Sequence, residues 1–130
     1  MIVKQLSVFL ENKAGRINDV VKVIADAGVN MTAFSIAENL DFGIMRVIVS
    51  DVDRAVEALR AARFAVKLTD VVCLDVPNVP GSLSRILETL AREEVFIEYM
   101  YAFSRGKQAS VVIRPTDTEK CAKILTASTS

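Results

Sequence analysis

Apolar and polar positions alternate through Leu6, Val8 and Leu10, the period of a strand with one buried face. A glycine-containing turn follows at Asn12 to Gly15. Then Ile17, Val20, Val21 and Ile24 fall at i, i+3, i+4 and i+7, which predicts an amphipathic helix. Ala27-Gly28 ends that helix, with Gly28 suited to the left-handed position just past the last turn. Val29 to Ala37 predicts a second strand, Asn39 to Phe42 a turn, and the β-branched run Ile44 to Val49 a third strand. Ser50 or Asp51 caps a second helix that runs to about Ala61 with Ala55, Val56 and Leu59 inward. Phe64 to Leu68 completes the pattern as a short fourth strand, so the order is βαββαβ.

The pattern then occurs again. Asn12-Lys13-Ala14-Gly15 matches Asn78-Val79-Pro80-Gly81, and the same ungapped offset, Gly15 onto Gly81, pairs much of the chain. Leu6, Val8 and Leu10 fall on Val72, Leu74 and Val76, while Ile17, Val20, Val21, Ile24 and Ala25 fall on Leu83, Ile86, Leu87, Leu90 and Ala91. Thr116-Asp117-Thr118-Glu119 supplies a capping box at the corresponding second helix start. The expected fold class is α+β: tandem ferredoxin-like βαββαβ units, each an antiparallel four-stranded sheet with two helices on one face. The predicted domains are 1–69 and 70–130. At this offset the counterpart of 64–68 would fall at 130–134, so the last strand of the second unit is either truncated or absent with another chain covering that edge.

Two strands are apolar on both faces, Ile44 to Val49 and Val95 to Phe103. Helices cover one face only, so part of the other face is expected to be covered or to form an exposed patch. The expectation is that the two copies pack together and that the chain forms a homodimer.

Composition narrows the chemistry. Lys plus Arg is 16 and Asp plus Glu is 16, a balance that argues against nucleic acid or an anionic membrane surface as partner. No stretch approaches the roughly 20 apolar residues that span a bilayer, and the start of the chain lacks a signal-peptide pattern, so a cytoplasmic location is expected. The chain has no histidine and two cysteines, Cys73 and Cys121. That excludes a histidine base, triad or metal ligand and leaves too few thiols for a four-ligand zinc site. No cofactor is expected.

Polar groups and special backbone meet in the turn between first strand and first helix. Gly15 permits a tight turn and a close ligand approach, and the helix-start N–H groups suit a carboxylate. Asn12 both donates and accepts. Asn30 opens the second strand and is expected near that turn if the two share one edge of the domain. One reading is a pocket for a zwitterion; the other is ordinary turn and strand-start residues.

With these residues on the page, Leu10 to Ile17 and Ala27-Gly28-Val29-Asn30-Met31 resemble an ACT domain, and Val76-Pro77-Asn78-Val79-Pro80-Gly81-Ser82-Leu83 resembles the same opening. The whole chain resembles proteins made of two ACT domains with no catalytic domain attached. The resemblance implies an amino-acid-binding regulatory module acting through ligand-dependent packing, with a metabolic enzyme as a possible partner. Serine-binding members of the family use an asparagine in the turn, an asparagine in the Gly-Val-Asn segment and a histidine where this chain has Leu10. By that resemblance the ligand-binding residues are Leu10, Asn12, Ala14, Gly15 and Asn30, with Asn78 and Gly81 in the second copy. Leu10 in place of histidine implies a more apolar pocket. The second copy reads Glu94-Val95-Phe96 where the first reads Gly28-Val29-Asn30, so the first copy is expected to hold the intact site, completed at a junction with the second copy or another chain.

Three rival readings arise. An acylphosphatase-like enzyme needs an arginine in a glycine-rich cradle, and Arg16 lacks that setting. Glu11, Glu38 and Asp41 form no evident acid/base pair. An RNA-binding sheet is suggested by Tyr99, Tyr101 and Phe103 but lacks a basic surface. A ligand-free dimeric adaptor that regulates an enzyme by contact fits the sequence as well as a sensor does.

Overall fold

A computed structural model of the chain describes residues 1–11, 13–38 and 42–129. Its elements are β1 (Ile2–Glu11), α1 (Arg16–Asp26), β2 (Met31–Glu38), β3 (Phe42–Val49), α2 (Val52–Ala61), β4 (Ala65–Pro77), α3 (Ser82–Arg92), β5 (Ile97–Arg105), β6 (Gln108–Pro115) and α4 (Thr118–Thr129). The starts of α1, β2, β3 and α2 recur at the offset of the repeat in α3, β5, β6 and α4, as the sequence predicts. The chain divides into two units, Lys4–Thr69 and Met1–Val3 with Asp70–Ser130.

In the first unit the strand order is β2-β3-β1-β4. β1 and β3 pair antiparallel with Leu6 opposite Val47, Val8 opposite Met45 and Leu10 opposite Gly43. Alternate residues of a strand share a face, so Leu6, Val8, Met45 and Val47 line one face. There they meet Val20 and Ile24 of α1 and Ala55, Val56 and Leu59 of α2 in one core. The opposite face of β3 carries Ile44, Arg46 and Ile48, which stay half-buried.

The second unit repeats this with β4-β6-β5. Val72 lies opposite Ile113 and Leu74 opposite Val111. These four pack with Ile86 and Leu90 of α3 and Cys121 and Leu125 of α4. Tyr99, Tyr101 and Phe103 project from the other face, the tyrosines half-buried and Phe103 exposed. Beside β4, the Met1 N–H donates to the Cys73 carbonyl at 3.0 Å and the Cys73 N–H donates to the Met1 carbonyl at 2.8 Å. This reciprocal pair is the hydrogen-bonded antiparallel type.

Helix ends explain where strands begin. After α1, the Gly28 N–H donates to Ala25 at 2.9 Å and the Val29 N–H to Ile24 at 3.2 Å, a Schellman closure with Gly28 at φ 74°. Val29 is thereby committed to the closure and packs in the core, so β2 starts at Met31 rather than Val29. The same bonds run from Glu94 to Ala91 and from Val95 to Leu90, which delays β5 to Ile97. Asp51 caps α2, accepting from the Arg54 N–H at 3.2 Å. At α4 the cap is Asp117, which accepts from the Lys120 N–H at 3.1 Å, so the helix starts one residue later than a box built on Thr116 requires. The expected strand at Phe64 to Leu68 is the opening of β4, which runs on without a break to Pro77. Of the turn expected at Asn39 to Phe42, residues 39–41 lie outside the described residues and Phe42 opens β3.

Candidate functional site

The two strand-to-helix turns have the same backbone. Gly15 caps α1 at φ 87°, ψ −11°, and Gly81 caps α3 at φ 89°, ψ −11°. Both are left-handed, where glycine has no steric penalty, and among the described residues neither helix has a side-chain cap at its start. Space for a Cβ differs. Among the described residues beyond its chain neighbours, a Cβ at Gly15 would meet no atom within 4 Å, whereas at Gly81 it would come within 3.3 Å of an Arg85 guanidinium nitrogen.

Side chains around the turns differ more. In the first unit Lys13 pairs with Glu11 at 2.9 Å, and Arg16 reaches Glu11 at 3.7 Å and Asp19 at 3.4 Å. The hydrogen bond and charge of Lys13, with Arg16 behind it, hold the Glu11 carboxyl below its ordinary value. In the second unit the Arg85 guanidinium donates to the Ser82 hydroxyl at 3.4 Å, and Ser82 is only 6% exposed.

The expected ligand residues are dispersed. Asn12 lies outside the described residues. Ala14 and Gly15 are exposed on the turn. Leu10 is 5% exposed and belongs to the first core, so its side chain packs under the helices. Asn30 is exposed and its backbone is tied to Ser50: its N–H donates to Ser50 Oγ at 3.0 Å and its carbonyl accepts from the Ser50 N–H at 2.9 Å.

The register corrects the expectation that Asn30 neighbours the turn. Leu10 pairs with Gly43, at the end of the sheet where Glu38 also pairs, whereas Met31 pairs with Val49 at the other end. In a βαβ crossover the helix carries the chain back to where the first strand began. The 11 residues of α1 span about 16 Å at 1.5 Å each, and Gly15 and Asn30 stand at its two ends. A single unit therefore does not bring them to one small ligand.

In the second unit, Asn78 is tied to the β5–β6 hairpin. Its Nδ2 donates to the Gly106 carbonyl at 3.0 Å and its N–H to Lys107 at 2.8 Å. Next to it opens a cleft of about 600 Å³ whose lining includes Val76, Ser82, Arg85, Ile86, Thr89 and Leu125. A second cleft of about 670 Å³ has a lining that includes Leu87, Leu90, Ala91, Glu94, Val95 and Phe96. Motif reading did not single out Arg85 and Ser82, which line the first of these clefts. The signal was available in the repeat, which sets Arg85 against Asp19 and Ser82 against Arg16.

Among the described residues no cluster of acidic and sulfur side chains could hold a metal ion, and no helix is long and apolar enough to cross a membrane.

The chain is similar over nearly its whole length to protein BT0572 from Bacteroides thetaiotaomicron, whose crystal structure matches with a TM-score of 0.96 and 52% identity, covering 99% of this chain and 90% of that one. The regulatory subunit of aspartate kinase from Thermus thermophilus, in a ligand-free form, matches with a TM-score of 0.70 and 14% identity over 98% of this chain and 96% of that one. A structure of aspartokinase alpha and beta subunits matches with a TM-score of 0.62 and 19% identity over 95% and 93%. At those identities the two kinase structures share the fold alone. No curated protein matches the sequence. A family model described as an ACT domain pair matches residues 1–129, and this chain belongs to that family.

Proposed function

We propose that this ACT domain pair is a non-catalytic regulatory protein of the cytoplasm that binds an amino acid, works as a homodimer and controls a metabolic enzyme through ligand-dependent packing. The observation that carries the reading is the repeated turn. Gly15 and Gly81 keep the same left-handed backbone in both units while the side chains around them have diverged. A backbone retained under changing side chains fits a helix start that receives an anion. Binding regulates only if the ligand has higher affinity for one arrangement than for another.

A thermal-shift screen of the free amino acids tests this. A ligand at about 100 times its dissociation constant stabilises by roughly 2.7 kcal/mol. A shift with one amino acid or a narrow group supports the reading, and no shift with any at millimolar concentration overturns it. Analytical ultracentrifugation tests the dimer.

A second reading, a ligand-free adaptor that acts on an enzyme by contact, is favoured by Phe34 and Ile36. They lie on β2, which ends the strand order, and are 56% and 42% exposed. The fold shared with regulatory subunits of aspartate kinase fits either mode. A size shift on mixing with the regulated enzyme, unaffected by every amino acid, would favour contact alone.

A further inference from the structure

We infer that the homodimer forms by packing α1 of one chain against α3 of a second copy, with Lys22 of one set against Glu88 of the other at the centre of the contact. This rests on the homodimer of the proposed function and names the surface that makes it.

Both helices keep an apolar ridge at the edge of the core. Ile17, Val21 and Ala25 of α1 fall at i, i+4 and i+8, and Leu83, Leu87 and Ala91 occupy the same places on α3. Residues four apart form one ridge of a helix. Ile17 is 44% exposed and Leu83 39%, Val21 and Leu87 are half-buried, and both alanines are exposed. The single chain thus leaves both ridges open to water. Such ridges interlock when two helices pack, and a small side chain such as alanine lets the axes come close.

Charge decides which helix covers which ridge. Asp19, Lys22 and Asp26 stand on α1, and Arg85, Glu88 and Arg92 stand on α3. At the offset of the repeat these are the same three positions, and every sign is reversed. They fall at i, i+3 and i+7, so each set shares one face of its helix. Packing α1 on α1, or α3 on α3, sets like charge against like, which is costly. Packing α1 on α3 sets acid against base. Lys22 and Glu88 are the middle members and lie next to Val21 and Leu87, so they meet whether the helices run parallel or antiparallel. A two-fold dimer makes this contact twice, since residue i meeting j requires j to meet i.

The charges are available for it. Among the described residues, the ion pairs engage none of Lys22, Asp26, Glu88 and Arg92. Arg92 reaches the neutral Thr89 hydroxyl at 3.5 Å, and Arg85 the Ser82 hydroxyl at 3.4 Å. Exposed ion pairs contribute little affinity by themselves. Here they select the partner, and the apolar ridges supply the burial.

The test is sedimentation velocity on the full chain across a concentration series, with circular dichroism to check that each variant folds. Lys22→Glu and Glu88→Lys should each weaken the dimer about tenfold or more. An equal mixture of the two variants should regain wild-type association, because every contact between unlike chains is again acid against base. The double variant Lys22→Gln with Glu88→Gln removes the attraction without adding repulsion, and should fall between wild type and either reversal. Unchanged association in either single reversal, or no recovery on mixing, overturns the inference. A wild-type dimer that both reversals leave intact removes this interface and leaves the homodimer standing. A wild-type chain that stays monomeric throughout removes the homodimer and this interface with it.

Discussion

The Val95 N–H donates to the Leu90 carbonyl at 2.9 Å, and that bond closes α3 only because Glu94, between them in the chain, sits at φ 57°. Arg63 does the same after α2 at φ 70°, while Gly28 fills the equivalent position after α1. A side chain in this left-handed region costs about 1–2 kcal/mol relative to glycine. Glu94→Gly and Arg63→Gly should each stabilise the protein by about 1 kcal/mol, net of glycine's extra chain entropy, and Gly28→Ala should destabilise it by a similar amount. Urea denaturation midpoints check this, and a lower midpoint for both glycine variants would contradict it.

The cap at Asp51 satisfies the Arg54 N–H, and Asp117 does the same for Lys120. Asp51→Ala and Asp117→Ala should each cost about 1 kcal/mol. Asp51→Asn, which keeps an accepting oxygen, should cost less. Thr116→Ala should be nearly silent by the same denaturation measurement.

Leu90 is fully buried, while Phe96, close by on the chain, is 75% exposed. Leu90→Ala should therefore destabilise by about 2–5 kcal/mol, and Phe96→Ser by no more than about 0.5 kcal/mol. Comparable losses would mean that Phe96 is covered in solution, which sedimentation velocity on both proteins would then reveal.

Lys13, through its hydrogen bond and charge, and then Arg16 hold Glu11 below its ordinary 4.5. Because the folded value is the lower one, this cluster contributes stability above pH 4.5 and loses it as the pH falls through the folded value. Lys13→Ala should move the Glu11 midpoint up toward 4.5 in a ¹³C carboxyl titration. Molar salt, which shortens the Debye length to about 3 Å, should move it the same way. An unmoved midpoint in both would show that the ion pair does not persist in water.

Burial pushes the Cys121 thiol up, and its side chain is fully enclosed in the second core. A thiol reagent at neutral pH should label it only as fast as the second unit opens, with Cys73, half-buried on β4, reacting first. Mass-resolved labelling kinetics separate the two.

The fold was legible because its signals are local and doubled. The helical spacing of Val20 and Ile24 reappears in Ile86 and Leu90, and the alternation of Leu6 and Val8 in Val72 and Leu74; the structure buries all of these residues. Boundaries were harder. Val29 and Val95 have strand propensity, but their N–H groups are taken by helix closures, a competition that propensity does not register. The site was least legible, since nearness in a motif is not nearness in space. Gly15 and Asn30 belong to one recognisable stretch, yet the parallel crossover separates them by the length of α1. Arg85 carries no motif, and it stands out only against Asp19.

The pairing of Met1 with Cys73 spans 72 residues, and it bears on the order of folding. Met1–Val3 are synthesised before any other part of the unit they belong to. On the ribosome their partner strand does not yet exist, so this edge closes late, after β4 has been made. Contacts of such long sequence separation slow folding. Until then the segment is an unpaired strand end of the kind that other chains can recruit.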